Sequence, residues 1–372
     1  MQIAVIETYP VRIPLRPKYR MVSALGTHDT SEYVLVRLLT EDGAEGVGEA
    51  TVTARWSGET AWSVEALIGR ILAPALIGMD PHDVAAIDAA MDSLAACNWF
   101  AKSAVEMACW DLQGKAAGKP VYELLGGPHR PLSIRGRFSL GAYDVERARS
   151  RAAELVEEGF DTVKVKVGGK IDDDVARVKA VREVIGQDRT LVIDANGGWD
   201  ADTALTALTQ LTGARIALFE QPTPAGDFES LARVRREGGV PVMADDICFD
   251  FVDAKELLRN ECCDVISIYP GKNGGIRKAQ QIAEFAADNN VACTIGSNLE
   301  LDVGTAAMAH LVVGCQNVQV EKYPGDIYGP VYHETRIAKN PLVIKGAVTT
   351  ITDAPGLGIE VDWNAVRAHR FE

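Results

Sequence analysis

Two stretches near the start of the chain, residues 32–39 and 45–52, are apolar and β-rich and flank Asp42-Gly43, a dipeptide that favours a tight hairpin turn. The pattern predicts a β-meander there. Helical periodicity follows over residues 59–76, 81–96 and 101–117; Pro81 suits a first helical turn, and Gly118 and Pro120 stop the third helix. Together these elements predict an α+β domain of about 125 residues, an ordinary domain size.

The pattern changes at Leu132. Eight short apolar strands are read at residues 134–139, 162–167, 191–194, 216–220, 240–244, 265–268, 291–295 and 318–321, with amphipathic segments such as 172–185 and 276–287 between them. Repeated βα units in this number predict a (β/α) barrel over residues 129–325, following an α+β domain of residues 1–128. A doubly wound sheet is the alternative, but no GxGxxG or P-loop follows any strand, so Gly168-Gly169 and Gly274-Gly275 read as loop glycines. The final segment, residues 326–372, is punctuated by Pro and Gly and is strand-like at 342–352. It suits a return to the N-terminal domain better than an eighth barrel helix.

A chain of 372 residues, 47% hydrophobic and 24% charged, can bury a large core and divide into two domains. The longest apolar stretches, residues 71–77 and 306–313, fall short of the roughly 20 residues of a membrane span, and no signal-peptide pattern opens the chain. A cytoplasmic location and no membrane partner are expected. The seven cysteines lack CxxC or zinc-type spacing and read as buried, reduced thiols. The net charge of -14, with no Lys/Arg cluster, argues against a nucleic-acid partner.

The strongest chemical signal is a row of acids. Three consecutive predicted strands end in Asp194, Glu220 and Asp245, one βα unit apart, which would gather three carboxylates at the C-terminal mouth of a barrel. An acid at one strand end could equally be a helix cap or a surface charge. Three in register point to a divalent cation, because unpaired they would repel and shift their pKa values upward. Oxygen ligands suit Mg²⁺, with Mn²⁺ as the alternative ion. Asn196 reads as a partner to these ligands or as a turn residue, and Asp246 as a helix-start acid.

One unit earlier, Lys164 and Lys166 alternate with valines inside the strand at 162–167, so both ammonium groups share one face. With the valines packed outward, the lysines face the barrel interior, where neighbouring carboxylates make burial tolerable. Desolvation, the neighbouring cation and a metal are expected to lower a lysine pKa towards that of a general base.

With Lys-x-Lys followed by Asp, Glu and Asp on successive strands, the chain resembles the enolase superfamily, and within it the muconate-lactonizing (mandelate racemase/muconate lactonizing enzyme) subgroup. The likeness covers nearly the whole length. It includes the run from Ser103 to Leu112 that continues through Gly118-Lys119-Pro120 and Leu124-Leu125-Gly126-Gly127, then Lys164-Val165-Lys166-Val167-Gly168, Asp194-Ala195-Asn196 and Glu220-Gln221-Pro222. Ala244-Asp245-Asp246, Lys272-Asn273-Gly274-Gly275 and Pro355-Gly356-Leu357-Gly358 complete it. The resemblance implies an α+β capping domain built from both chain ends over a modified (β/α)7β barrel, and a homo-oligomer, from dimer to octamer. It further implies that Asp194, Glu220 and Asp245 bind Mg²⁺ and that Lys166 exchanges the proton next to a substrate carboxylate, giving an enediolate. Lys164 would hydrogen-bond that carboxylate. A lysine base with Mg²⁺ is the superfamily's own pattern.

Two positions depart from the family. Tyr269 stands where many relatives carry a second acid/base lysine, with Lys272 at a later position, and Ser297-Asn298 stands where mandelate-racemase-like members have a histidine. His28, His82, His129, His310, His333 and His369 are expected to be structural or on the surface. One-base chemistry follows as first choice, either cycloisomerisation of a muconate-like diacid or syn β-elimination of water from a hydroxy acid. A racemase or epimerase of an amino-acid derivative or hydroxy acid is the second reading, recruiting Tyr269 or Lys272. A non-catalytic metal- or carbohydrate-binding protein is the third. The substrate would be a small carboxylate met by loops at residues 21–28 and 51–56 and by Arg137, Ser297, Asn298 and Glu321, with Arg137 either clamping a second carboxylate or held in a structural ion pair.

Overall fold

The computed structural model describes residues 1–371. The N-terminal part pairs strands β1 (Ile3–Pro14), β4 (Thr30–Thr40) and β5 (Glu45–Val52) in an antiparallel sheet, and inserts the small hairpin β2 (Met21–Ser23) and β3 (Gly26–His28). Asp42 and Gly43 form the β4–β5 turn, closed by Thr40 N donating to Ala44 O at 3.0 Å. Residues 46–52 of β5 are buried, and the helix Trp99–Ala117 lies directly on the face that carries Gly46 and Gly48. Gly46 and Gly48 make that approach possible: a Cβ would stand 2.2 Å from Ala108 O and 1.8 Å from Ala104 O.

The predicted helix at 59–76 is broken into Ala61–Leu67, a π-helical turn Ile68–Leu72 and Ala73–Leu76. Pro74 has no N–H for the regular ladder, and the wider turn precedes it. The next helix, Val84–Leu94, starts three residues after Pro81 because Asp83 caps it, accepting from Ala86 N at 3.0 Å.

Strand β6 (Ser133–Arg135) precedes seven parallel strands: β7 (Phe138–Leu140), β8 (Thr162–Lys166), β9 (Thr190–Asp194), β10 (Ile216–Glu220), β11 (Val242–Ala244), β12 (Val265–Ile268) and β13 (Ala292–Ile295). They lie side by side in chain order in one curled sheet, with helices on its outer face. Two predicted strands come out differently. Residues 134–139 split at Gly136 into β6 and β7, which join different sheets. Residues 318–321 form only a parallel bridge between Val318 and Cys293, since Lys322 N and Tyr323 N both turn back onto Gln319 O. The following chain spans the opening between the sheet's edges: Arg137 N donates to Gly325 O at 2.9 Å and Asp326 N to Ile295 O at 3.2 Å. The tail carries β14 (Val343–Lys345) and β15 (Val348–Thr350), and β15 pairs with β6. It then returns to β1, where Arg12 N donates to His369 O at 3.1 Å.

Inside the curled sheet Val192, Leu218, Met243, Val265 and Ala292 form one apolar layer. Period-two alternation puts residues 194, 220 and 245 on the same inner face, one layer nearer the C-terminal mouth. Among the described residues no helix is long and apolar enough to cross a membrane. All seven cysteines are free, and only Cys97 is exposed.

Carboxylates from the N-terminal part cap helix N-termini, Glu49 and Glu106 on the barrel and Glu59 within the N-terminal part. Glu49 accepts from Leu301 N and Gly304 N at 2.7 and 2.8 Å, Glu106 from Ile276 N and Arg277 N at 2.8 Å each, and Glu59 from Phe100 N and Ala101 N at 3.0 Å each. Burial outweighs these donors at Glu49 and lifts its pKa to about 8. A carboxyl raised on folding favours the protonated native state, so its contribution is full below the unfolded-state pKa and is lost as pH rises towards about 8. Urea stability should therefore fall between pH 7 and 8, and fall less steeply in Glu49→Gln; parallel pH dependences would contradict this role for Glu49.

Candidate active site at the barrel mouth

Each strand delivers its side chains by register. Lys166 pairs with Asp194 across β8 and β9, and Asp194 with Glu220 across β9 and β10, so these three stand in a row. Lys164 lies one layer deeper on the same face, while Val163, Val165 and Val167 are fully buried on the other. Asp245 follows the end of β11. Asp194, Glu220, Asp245 and Lys164 are all buried, and Lys166 opens onto the pocket.

Cations meet these acids directly. Lys164 Nζ lies 2.9 Å from Asp194 Oδ2 and 2.6 Å from Glu220 Oε1, and Lys166 Nζ lies 2.5 Å from Asp194 Oδ2 and donates to Asn196 Oδ1 at 2.7 Å. Arg137 Nη2 donates to Glu220 Oε2 at 2.7 Å. Lys272 spends all three N–H bonds on Asp245 Oδ1, Asp245 O and Ser267 O, each at 2.8 Å. Arg137 and Lys272 are thus fully buried and do not line the pocket; Arg137 takes the ion-pair alternative with Glu220, and Lys272 has all three N–H groups on protein oxygens. Glu321 is elsewhere altogether, mostly exposed and paired with Arg130 at 2.9 Å, because the strand expected to carry it inward does not form.

The pairings pull the titrations apart. Burial opposes the charge of Asp194, but Lys164 and Lys166 prevail and hold its pKa well below the usual range; Asp245 is lowered against burial chiefly by Lys272 and Lys164. Glu220 is raised to about 7 by burial, against Arg137 and with the help of Asp194. Lys164 runs opposite to the sequence expectation. Burial would lower it, yet Asp194 and Glu220 outweigh burial and raise it.

Tyr269 is buried at the pocket wall, its ring stacked on Trp56 with centroids 6.0 Å apart and planes 13° from parallel. Burial, then Asp245 and Asp246, raise its phenol far above the usual value. Ser297 and Asn298 also line the pocket: Ser297 Oγ donates to Glu300 Oε2 at 2.6 Å, and Asn298 Nδ2 to Thr51 O at 3.1 Å. His28, expected to be structural or on the surface, lines the mouth with Met21, Ser23 and Leu25 from the β2–β3 hairpin. Asp246, read as a helix-start acid, instead lines the pocket and binds Trp56 and Asn196; it lies beyond the end of β11, where strand alternation no longer directs it outward. Asp326 was not singled out in the sequence. Its Oδ2 lies 3.3 to 3.5 Å from Ser139 Oγ, Arg137 Nε and Lys164 Nζ, and its only local signal is Gly325-Asp326 shortly after the last predicted strand.

Among the described residues no three His, Cys, Asp or Glu side chains are placed so as to hold a metal ion together; Asp194 and Glu220 point to Lys164, and Asp194 also to Lys166. The donor chemistry nonetheless fits a hard divalent cation. Three buried carboxylates on consecutive strands offer only oxygen, and Asp194 and Asp245 both act to raise the pKa of Glu220.

Residues 5–126 match the mandelate racemase/muconate lactonizing enzyme N-terminal domain, and residues 147–365 the enolase C-terminal domain-like family. This chain belongs to the mandelate racemase/muconate lactonizing enzyme subgroup of the enolase superfamily. It is 34% identical over 364 residues to a hydrophobic dipeptide epimerase of Enterococcus faecalis, covering 96% of this chain and 99% of that one. It is 31% identical over 362 residues to a chloromuconate cycloisomerase of Cupriavidus pinatubonensis, covering 96% and 95%. The crystal structure of an Enterococcus faecalis dipeptide epimerase complexed with Mg and L-Leu-L-Tyr superposes with a TM-score of 0.91 at 34% identity, covering 97% of this chain and all of that one. The chain is thus an enzyme of the superfamily, and its curled sheet with separate antiparallel sheets is the superfamily's barrel with a capping domain.

Removing one partner of a buried ion pair strands the other charge. Arg137→Met should therefore lower stability by about 3 kcal/mol or more in urea titrations at pH 8, with part of the loss recovered in Arg137→Met/Glu220→Gln. An unchanged midpoint in the single variant would contradict the pairing with Glu220.

Proposed function

We propose that this enzyme abstracts the proton next to a substrate carboxylate with one base, Lys166, and completes either a cycloisomerisation or a syn β-elimination of water. The observation that carries the reading is that Lys166 opens onto the pocket while position 269, also on the pocket wall, holds a buried phenol and not an amine.

Lys166 in its neutral form takes the proton, and the electron pair left on carbon delocalises into the carboxylate as an enediolate. Lys164 works differently. Raised by Asp194 and Glu220, it stays an ammonium and donates to the carboxylate oxygen that gains charge. Asp194, Glu220 and Asp245 would hold a divalent cation, Mg²⁺ or Mn²⁺, which when bound supplies positive charge opposite the reacting carboxylate. Tyr269 keeps its proton and serves as a hydrogen-bond donor or as the wall of the pocket. Arg137 pairs with Glu220 and Lys272 with Asp245.

The relationship to the dipeptide epimerase supports a second reading, racemisation or epimerisation, which needs proton delivery to both faces. Incubation of candidate acids in D2O separates the two readings. Under one-base chemistry deuterium enters recovered substrate with retention, and exchange ceases in Lys166→Ala while Tyr269→Phe still exchanges. Rapid appearance of the opposite configuration, abolished in Tyr269→Phe, would make the enzyme an epimerase. Full exchange by a folded Lys166→Ala protein would remove Lys166 from the reaction.

A further inference from the structure

Lys166 does not rest on Asp194 alone. Its Nζ donates to Asn196 Oδ1 at 2.7 Å, Asn196 Nδ2 donates to Asp246 Oδ2 at 3.2 Å, and Asp246 Oδ1 accepts from Trp56 Nε1 at 2.8 Å. Four side chains thus form one continuous line, from a segment of the N-terminal part to the amine. Every link has a fixed direction: an indole N–H only donates and a carboxylate only accepts, so Asn196 must turn its NH2 to Asp246 and its carbonyl oxygen to Lys166. An amide flipped end for end would aim N–H groups at the ammonium. The Asn196 backbone is itself pinned, in the left-handed region at φ +43° with its N–H on Asp194 Oδ1 at 2.8 Å, which leaves the side-chain amide to be set by Asp246.

Trp56 lies on a single helical turn, Ala54–Ser57, that runs over the mouth. Asn298 Nδ2 latches this segment through Thr51 O at 3.1 Å and Thr53 Oγ1 at 3.2 Å. The indole ring packs among Phe100, Phe249 and Tyr269, contacts that any aromatic ring could make. Only its N–H reaches Asp246.

We propose that Trp56 is a positioning residue for Lys166. Docking of the segment over the mouth orients Asp246, Asp246 orients the Asn196 amide, and Asn196 holds the amine in line with the pocket. The inference rests on Lys166 as the proton carrier and adds that its alignment depends on a residue of the segment that covers the mouth.

Lys166 can be examined without substrate or metal. Competitive acetylation with acetic anhydride at one pH, followed by peptide mass spectrometry, gives the reactivity of Lys166 relative to exposed Lys255 in the same sample. Trp56→Phe keeps the ring and deletes the donor. Asp246→Asn leaves the aromatic cluster untouched and sets an amide against the Asn196 amide, so either variant carries the test if the other does not fold. Each should change the Lys166:Lys255 ratio in the same direction by about threefold or more, and the double variant no further than the larger single change, since both interrupt one line. A wild-type ratio in folded Trp56→Phe, or additive changes in the double variant, would overturn the proposal and leave Trp56 as pocket wall. Neither result bears on whether Lys166 moves the substrate proton, which the deuterium exchange of Lys166→Ala decides separately.

Discussion

Burial of opposite charges at one end of a curled sheet is the constraint on which the rest of this molecule depends. Asp194, Glu220, Asp245, Asp246 and Asp326 crowd the mouth, and Lys164, Lys166, Arg137 and Lys272 are set among them. Neither set could be buried without the other. The arrangement is not symmetrical, and its asymmetry is chemically useful. Cations placed against Asp194 and Asp245 keep those carboxylates ionised, burial and the neighbouring acids bring Glu220 to about 7 against Arg137, and Lys164 is held charged.

A charged mouth needs a cover that stays in place. The cover is fastened by further buried carboxylates, Glu49, Glu59 and Glu106, of which Glu49 and Glu106 reach across to helix N-termini of the barrel. The segment that carries Trp56 lies between Glu49 and Glu59, so both of its ends are anchored while its middle turns over the pocket. Packing and electrostatics thus meet in one stretch of chain: the same few residues shape the cavity and touch the network around Lys166.

Much of this was legible in the sequence, because it is written in local periodicity. The spacing of Asp194, Glu220 and Asp245 and the i, i+2 relation of Lys164 and Lys166 follow from strand geometry alone, and the barrel class follows from the repeated units. What stayed hidden depends on contacts between distant residues. Lys272 looks available as a substrate ligand, and Arg137 as either a clamp or an ion-pair partner, until Asp245 and Glu220 are seen to occupy them. The strand expected at residues 318–321 has suitable side chains, but turn bonds onto Gln319 end it, and Glu321 is left outside. Trp56 reaches Asp246 across 190 positions, and Asp326 enters the cluster from a segment read as the start of a tail. No window of sequence carries those pairings.

Asp194, Glu220 and Asp245 are proposed to form one functional unit able to exchange lysine partners for a divalent ion. Titration calorimetry with Mg²⁺ tests it most directly, on the wild-type protein and on the Asp194→Asn, Glu220→Gln and Asp245→Asn variants, each checked for folding by circular dichroism. A single saturable site is expected in the wild type, with a loss of about tenfold or more in affinity in each folded variant, since each replaces one of three carboxylate charges by a neutral amide. Unchanged affinity in all three variants, or no binding by the wild type, would contradict it.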